Sequence, residues 1–178
     1  MRTLADEAVT DNEMRALTSR IAHITRSYRV AHGIGIPTNP IIQAQEVDPT
    51  FRNRPHLDYI SERTVEAVRQ VERGHSQMMA VSLPPRAGKS TLISQYLPLW
   101  ILRRHPEWKI VSASYDGALV SGWSRSLRRI IEDNPDLGIA LVPDGGSYSK
   151  WDTLEGGGMY TTSVRGALTG RGARVLIV

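Results

Sequence analysis

The chain has 178 residues, 40% of them hydrophobic and 22% charged, which suits one domain with a genuine core and a small appendage. It holds no cysteine, no apolar run long enough to span a bilayer and no signal-peptide core behind Met1, so disulfides, thiolate metal sites and secretion are not expected and a reducing cytosol is. The net charge of +4 comes wholly from residues 86–178, with twelve basic and eight acidic side chains against ten of each before them; most of the cations are arginines, whose planar fork suits a polyanion.

Met14, Leu17, Ile21, Ile24, Tyr28 and Ala31 recur at steps of three and four and predict an amphipathic helix, either a docking arm or a helix packed on its own domain. The glycines and prolines of Gly33-Ile34-Gly35-Ile36-Pro37-Thr38-Asn39-Pro40 break it, so residues 33 to about 50 are expected to be a loop. Residues 1–50 thus form a helix and linker, and residues 51–178 the main domain.

Within that domain, Leu57, Ile60, Val65, Val68 and Val71 mark a helical face that Gly74 ends. Met78-Met79-Ala80-Val81-Ser82-Leu83 predicts a strand, and residues 90–104 a buried helix kinked at Pro98. Residues 109–115 predict a second strand. Asp116 can cap a helix whose expected buried positions are Leu119, Val120, Trp123, Leu127, Ile130 and Ile131. A Gly-rich stretch follows Pro135, with strands expected at residues 159–164 and 174–178. Strands alternating with helices predict an α/β fold with a mostly parallel sheet and helices on both faces.

The chemistry concentrates in Leu83-Pro84-Pro85-Arg86-Ala87-Gly88-Lys89-Ser90, set between the expected strand and the expected helix. There a helix N-terminus and loop N–H groups can cradle phosphate. Pro85, Arg86, Ala87 and Gly88 would line it, Lys89 would neutralise β/γ-phosphate charge, Ser90 would coordinate Mg²⁺ and Thr91 would face the α-phosphate. The usual pattern has glycine five positions before Gly88, where this chain has Leu83; the prolines stiffen the loop and Arg86 adds a second cation.

These residues resemble the large subunit of phage terminases. The resemblance rests on Pro-Pro-Arg-x-Gly-Lys-Ser, on Leu97-Pro98-Leu99-Trp100-Ile101-Leu102 followed by Pro106, and on Ser112-Ala113-Ser114-Tyr115. It continues through Trp151-Asp152-Thr153, Gly156-Gly157-Gly158 and Leu168-Thr169-Gly170-Arg171-Gly172-Ala173, and so covers residues 54–178 in order. It implies a P-loop (ASCE, RecA-like) ATPase in which the departure at Leu83 is ordinary. That ATPase would use ATP and Mg²⁺ to drive double-stranded DNA into a procapsid, as a homo-oligomeric ring working with portal protein and the small terminase subunit in the cytoplasm of a bacterial host.

Val175-Leu176-Ile177-Val178 would then be the strand that delivers the magnesium-binding acid, and the sequence stops there. The expectation is a partial protein, without the family's nuclease domain, that binds ATP but hydrolyses it poorly. Arg171 and, second, Arg165 are candidate arginine fingers by the same resemblance; a solvated loop contact is the alternative for both. Arg174 stands where the family usually has an acid. His56, in Arg54-Pro55-His56, is a candidate for the adenine or for a helix cap. Arg125, Arg128 and Arg129, at i, i+3 and i+4, could grip DNA phosphates or form a solvated face. Trp100, Trp108 and Trp123 are expected in the core, and Trp151 has no assigned chemistry. A helicase-like P-loop ATPase acting on DNA, or a non-catalytic prophage remnant, are the alternatives to a packaging motor.

Overall fold

The computed structural model describes residues 35–164 and 172–178, with isolated positions between 13 and 24. Met14, Leu17, Ile21 and Ile24 are helical, and the apolar face predicted for them is solvent-exposed at all four. Tyr28 and Ala31 lie outside the described residues. No described helix is long and apolar enough to cross a membrane.

The loop expected after residue 33 instead contains helix α1, Pro40–Val47. Asn39 caps it, its Oδ1 accepting from the Ile41 and Ile42 N–H groups at 2.9 and 3.0 Å, and Pro40 opens the first turn, where no N–H is needed. Ile41 and Ala44 are buried against Leu57, Ile60, Leu92 and Tyr96, so α1 belongs to the domain. Gln43 and Glu46 both bind the buried Arg103 guanidinium, which ties α1 to a later helix.

Helix α2, Pro55–Glu72, buries the predicted Leu57, Ile60, Val65 and Val68. Gly74, at φ +88°, ends it as its N–H bonds Val71 O while the His75 N–H reaches back to Gln70 O. Residues 77–83 then run without ladder partners, so the strand expected over 78–83 does not form. Met78 is 97% exposed. Gln77, Met79 and Val81 line a cavity together with the edge strand of the sheet instead of pairing with it.

A helical run follows over residues 89–104. It contains a π-turn, Thr91–Tyr96, and continues as α3, Leu97–Arg104. The remaining elements are β1 (Lys109–Ser114), α4 (Gly117–Asp133), a 3₁₀ turn (Pro135–Leu137), β2 (Leu141–Ser147), β3 (Lys150–Thr153), β4 (Gly158–Ser163) and β5 (Val175–Ile177). Asp116 caps α4 as expected, accepting from the Ala118 N–H at 2.9 Å. Val120, Leu127 and Ile131 are buried and Trp123 and Ile130 partly so, whereas Leu119 is 52% exposed, because it lies at the cavity rather than on the sheet.

The fold is α/β, with strands in the order β2-β3-β4-β1-β5. β1 pairs in parallel with β4 and β5, but β2-β3 and β3-β4 are antiparallel. The sheet is therefore mixed, not mostly parallel. The reason is local: β2, β3 and β4 follow one another through connections too short for a parallel crossover. The main core joins Leu99, Trp100, Ile101 and Leu102 of α3 to Ile110, Leu127, Trp151 and Met159.

Candidate phosphate-binding site

The residues 84–90 turn sharply from the unpaired segment into the helix. Arg86 sits at φ +62°, a left-handed conformation costly to any side chain with a Cβ, and Gly88 at φ +88°. A Cβ at position 88 would also come within 3.2 Å of Leu57 Cδ1, a tight contact that the leucine would have to relieve. The residue before it in α2, His56, holds the same loop: its Nε2 is 2.9 Å from Ala87 O. A carbonyl only accepts, so Nε2 carries the proton in this contact. Two successive residues of α2 thus clamp Ala87 and Gly88, a role for His56 that differs from the cap and leaves the adenine contact as a separate proposal.

Lys89 and Ser90 form the first helical positions, where N–H groups lack intrahelical acceptors. Both line a cavity of about 390 Å³. β5 and the residue after it, from Val175 to Val178, line it as well, and the end of β1 contributes Ser112 to Ser114. Thr91 is half-buried beside the loop and is not among the lining residues. Pro85 and Arg86 are exposed at the loop's tip.

Arg174 also reaches the cavity, yet its guanidinium donates to Val71 O at 2.9 Å and lies over the Trp108 ring at 5.3 Å. It fastens β5 to the end of α2, which explains a cation at this position on structural grounds. Arg165 and Arg171 lie outside the described residues.

The three arginines of α4 are not equivalent. Arg125 stacks on Tyr148 at 4.5 Å, and Arg128 pairs with Glu132 at 2.8 Å while donating to Gly146 O at 3.3 Å. Both therefore reach the β2–β3 turn, and Arg129 is exposed.

The motifs around Trp151 and the triple glycine build the sheet instead of the site. Trp151 is 1% exposed and its Nε1–H donates to the buried Ser124 Oγ at 2.9 Å. Thr153 Oγ1 donates to Pro106 O at 2.5 Å and accepts from the Gly157 N–H at 3.0 Å. The α1 helix and the loop clamp were missed from sequence. The Asn39-Pro40 pair, a cap followed by a first-turn proline, was the available signal for α1, and the clamp had none because His56 and Ala87 are 31 residues apart.

Comparison with family models, with curated proteins and with solved structures finds no match for this chain.

Proposed function

We propose that this chain binds the phosphates of ATP at residues 84–90 and is the ATPase part of a terminase-like motor that moves double-stranded DNA. The observation that carries the nucleotide reading is the shared cavity, which Lys89 and Ser90 line together with Val175 to Val178, β5 and the residue after it. A P-loop enzyme brings its loop to the end of the strand that delivers the magnesium-binding acid, and β5 is the strand in that place here. The loop fits the group chemically, because it offers a helix start, a lysine, an exposed hydroxyl and a glycine that admits close backbone approach. Lys89 would neutralise phosphate charge and Ser90 would hold Mg²⁺, which supplies charge stabilisation when bound. The motor assignment, with DNA, portal protein, small subunit and a ring of copies as partners, rests on the ordered motifs that resemble terminase large subunits.

Titration of the protein with a fluorescent ATP analogue and Mg²⁺ tests the reading. The wild type is expected to bind, and Lys89→Ala to weaken binding by about 10- to 100-fold, the worth of one charge-assisted contact. Equal binding by the two proteins, or none by the wild type at millimolar nucleotide, would overturn it.

A further inference from the structure

The helix that carries Lys89 and Ser90 is not a regular α-helix. Its first bond is of the α type, with the Leu92 N–H on Gly88 O at 3.1 Å. By Leu97 the pattern has widened, and the Leu97 N–H bonds Leu92 O, five residues back. The π-turn spans Thr91–Tyr96, and α spacing resumes in Leu97–Arg104.

Pro98 stands two residues beyond the end of the turn and is buried. Proline has no N–H to give to the carbonyl four residues back, Ser94 O, and its ring collides with that carbonyl in a regular helix. Widening by one residue moves that carbonyl out of the ring's way. A π-turn of this kind adds a residue without adding a turn, and it rotates everything upstream by about 100° relative to an unbroken helix.

The rotation has a visible consequence. Ser90, Ser94, Leu97 and Ile101, which line the cavity, would share a face in an unbroken α-helix, but Lys89 and Ile93 line it too. In an unbroken α-helix, positions 89 and 101 would lie about 120° apart around the axis. The extra residue takes back about 100° of that drift, leaving the two ends of the run on nearly one face.

We infer that Pro98 is a positioning residue: through the π-turn it sets the azimuth that turns Lys89 onto the cavity face. It acts on the phosphate site from nine residues away without touching it. The inference rests on the nucleotide-binding reading above, and the experiment separates the two.

The wild type, Lys89→Ala, Pro98→Ala, and Pro98→Ala with Ser94 deleted are compared for ATP-analogue affinity and thermal midpoint. In the Pro98→Ala variant, which alone of the three full-length proteins has an amide at position 98, a through-hydrogen-bond NMR coupling identifies the carbonyl that amide bonds. Replacing a mid-helix proline by alanine favours the regular helix. The expected result for Pro98→Ala is a coupling to the Ser94 carbonyl, an unchanged or raised midpoint, and affinity at least tenfold lower. Deleting Ser94 removes the surplus residue, so the double variant is expected to regain most of the affinity. Loss of affinity with gain of stability is not what a purely structural role gives. Absence of wild-type binding would refute the phosphate site itself. Wild-type binding matched by Pro98→Ala would refute the positioning role alone. If Pro98→Ala fails to fold, the double variant decides: it must fold and bind, and its failure overturns the proposal.

Discussion

Gly157→Ala is the substitution whose cost the structure fixes most closely. An alanine Cβ at this position would stand 2.2 Å from Pro106 O and 2.5 Å from Trp108 O, both backbone atoms that cannot rotate away. Restoring ordinary contact requires the two segments to separate by about 1 Å. That movement stretches the two bonds that cross between them, Gly158 N–H to Trp108 O at 3.1 Å and Thr153 Oγ1–H to Pro106 O at 2.5 Å, to or past the limit of hydrogen bonding. At about 1 kcal/mol each, with more for a buried donor left unpaired, the loss is about 2–4 kcal/mol. For a chain of this size that lowers the thermal midpoint by about 10 °C. Gly156 provides the control, because it sits at φ +88° with open space around it. Gly156→Ala incurs the left-handed backbone cost of about 1–2 kcal/mol, partly offset by the stiffer unfolded chain, for a net of about 1 kcal/mol. Urea unfolding followed by circular dichroism measures both. If Gly157→Ala falls within 1 kcal/mol of Gly156→Ala, the close-approach reasoning fails.

Trp151→Phe removes the donor to Ser124 Oγ inside the core and is expected to cost about 2–4 kcal/mol in the same assay, from the orphaned hydroxyl and the lost ring volume. Trp151 does not line the cavity, so ATP-analogue affinity of the folded variant should match wild type; a selective loss of affinity would give it a site role. Asp48 supplies a pH dependence. The Thr50 hydroxyl at 2.6 Å holds its carboxyl below the ordinary 3.8; burial opposes this, and the Tyr96 hydroxyl at 3.0 Å adds to it. The folded value lies below the unfolded one, so the stability it contributes is complete above the unfolded value and is lost as pH falls through the folded one. The stability difference between wild type and Asp48→Asn should therefore be constant near neutrality and shrink below pH 3.8, and a difference independent of pH down to acid unfolding would contradict the assignment.

Local signals were legible where one residue decides them. Asp116 as a cap and Gly74 as a stop act within a few positions, and the strands expected over 109–115 and 159–164 form as β1 and β4. Non-local facts were not legible. β2 and β3 were not expected from the sequence at all, and it is their short connections to β4 that make the sheet mixed. Residues 78–83 have strand composition, but a strand is defined by its partner, and no described strand lies beside them. The kink at Pro98 was readable from proline's missing donor; that it takes the form of an added residue, and so turns Lys89, depends on how the whole run packs.

Two sets of residues divide the work that the sequence motifs blur together. Trp151, Thr153 and Gly157 join the β3–β4 connection to α4 and to the chain before β1, through buried bonds that never reach the cavity. His56, Leu57 and Pro98 act on the loop: the first two grip Ala87 and Gly88 from α2, and the third turns the helix beneath them. Arg86 at φ +62° is the counterpart of that grip, since a strained residue persists only where its surroundings over-determine it. The clamp and the π-turn act on the helix-side half of the loop independently, one by contact at Ala87 and one by helical register. If this loop binds phosphate as proposed, that part of its backbone is already held by the protein, so the ligand would not have to order it on binding. Removing either device, by His56→Ala or by Pro98→Ala, should therefore lower affinity while leaving Lys89 and Ser90 chemically intact.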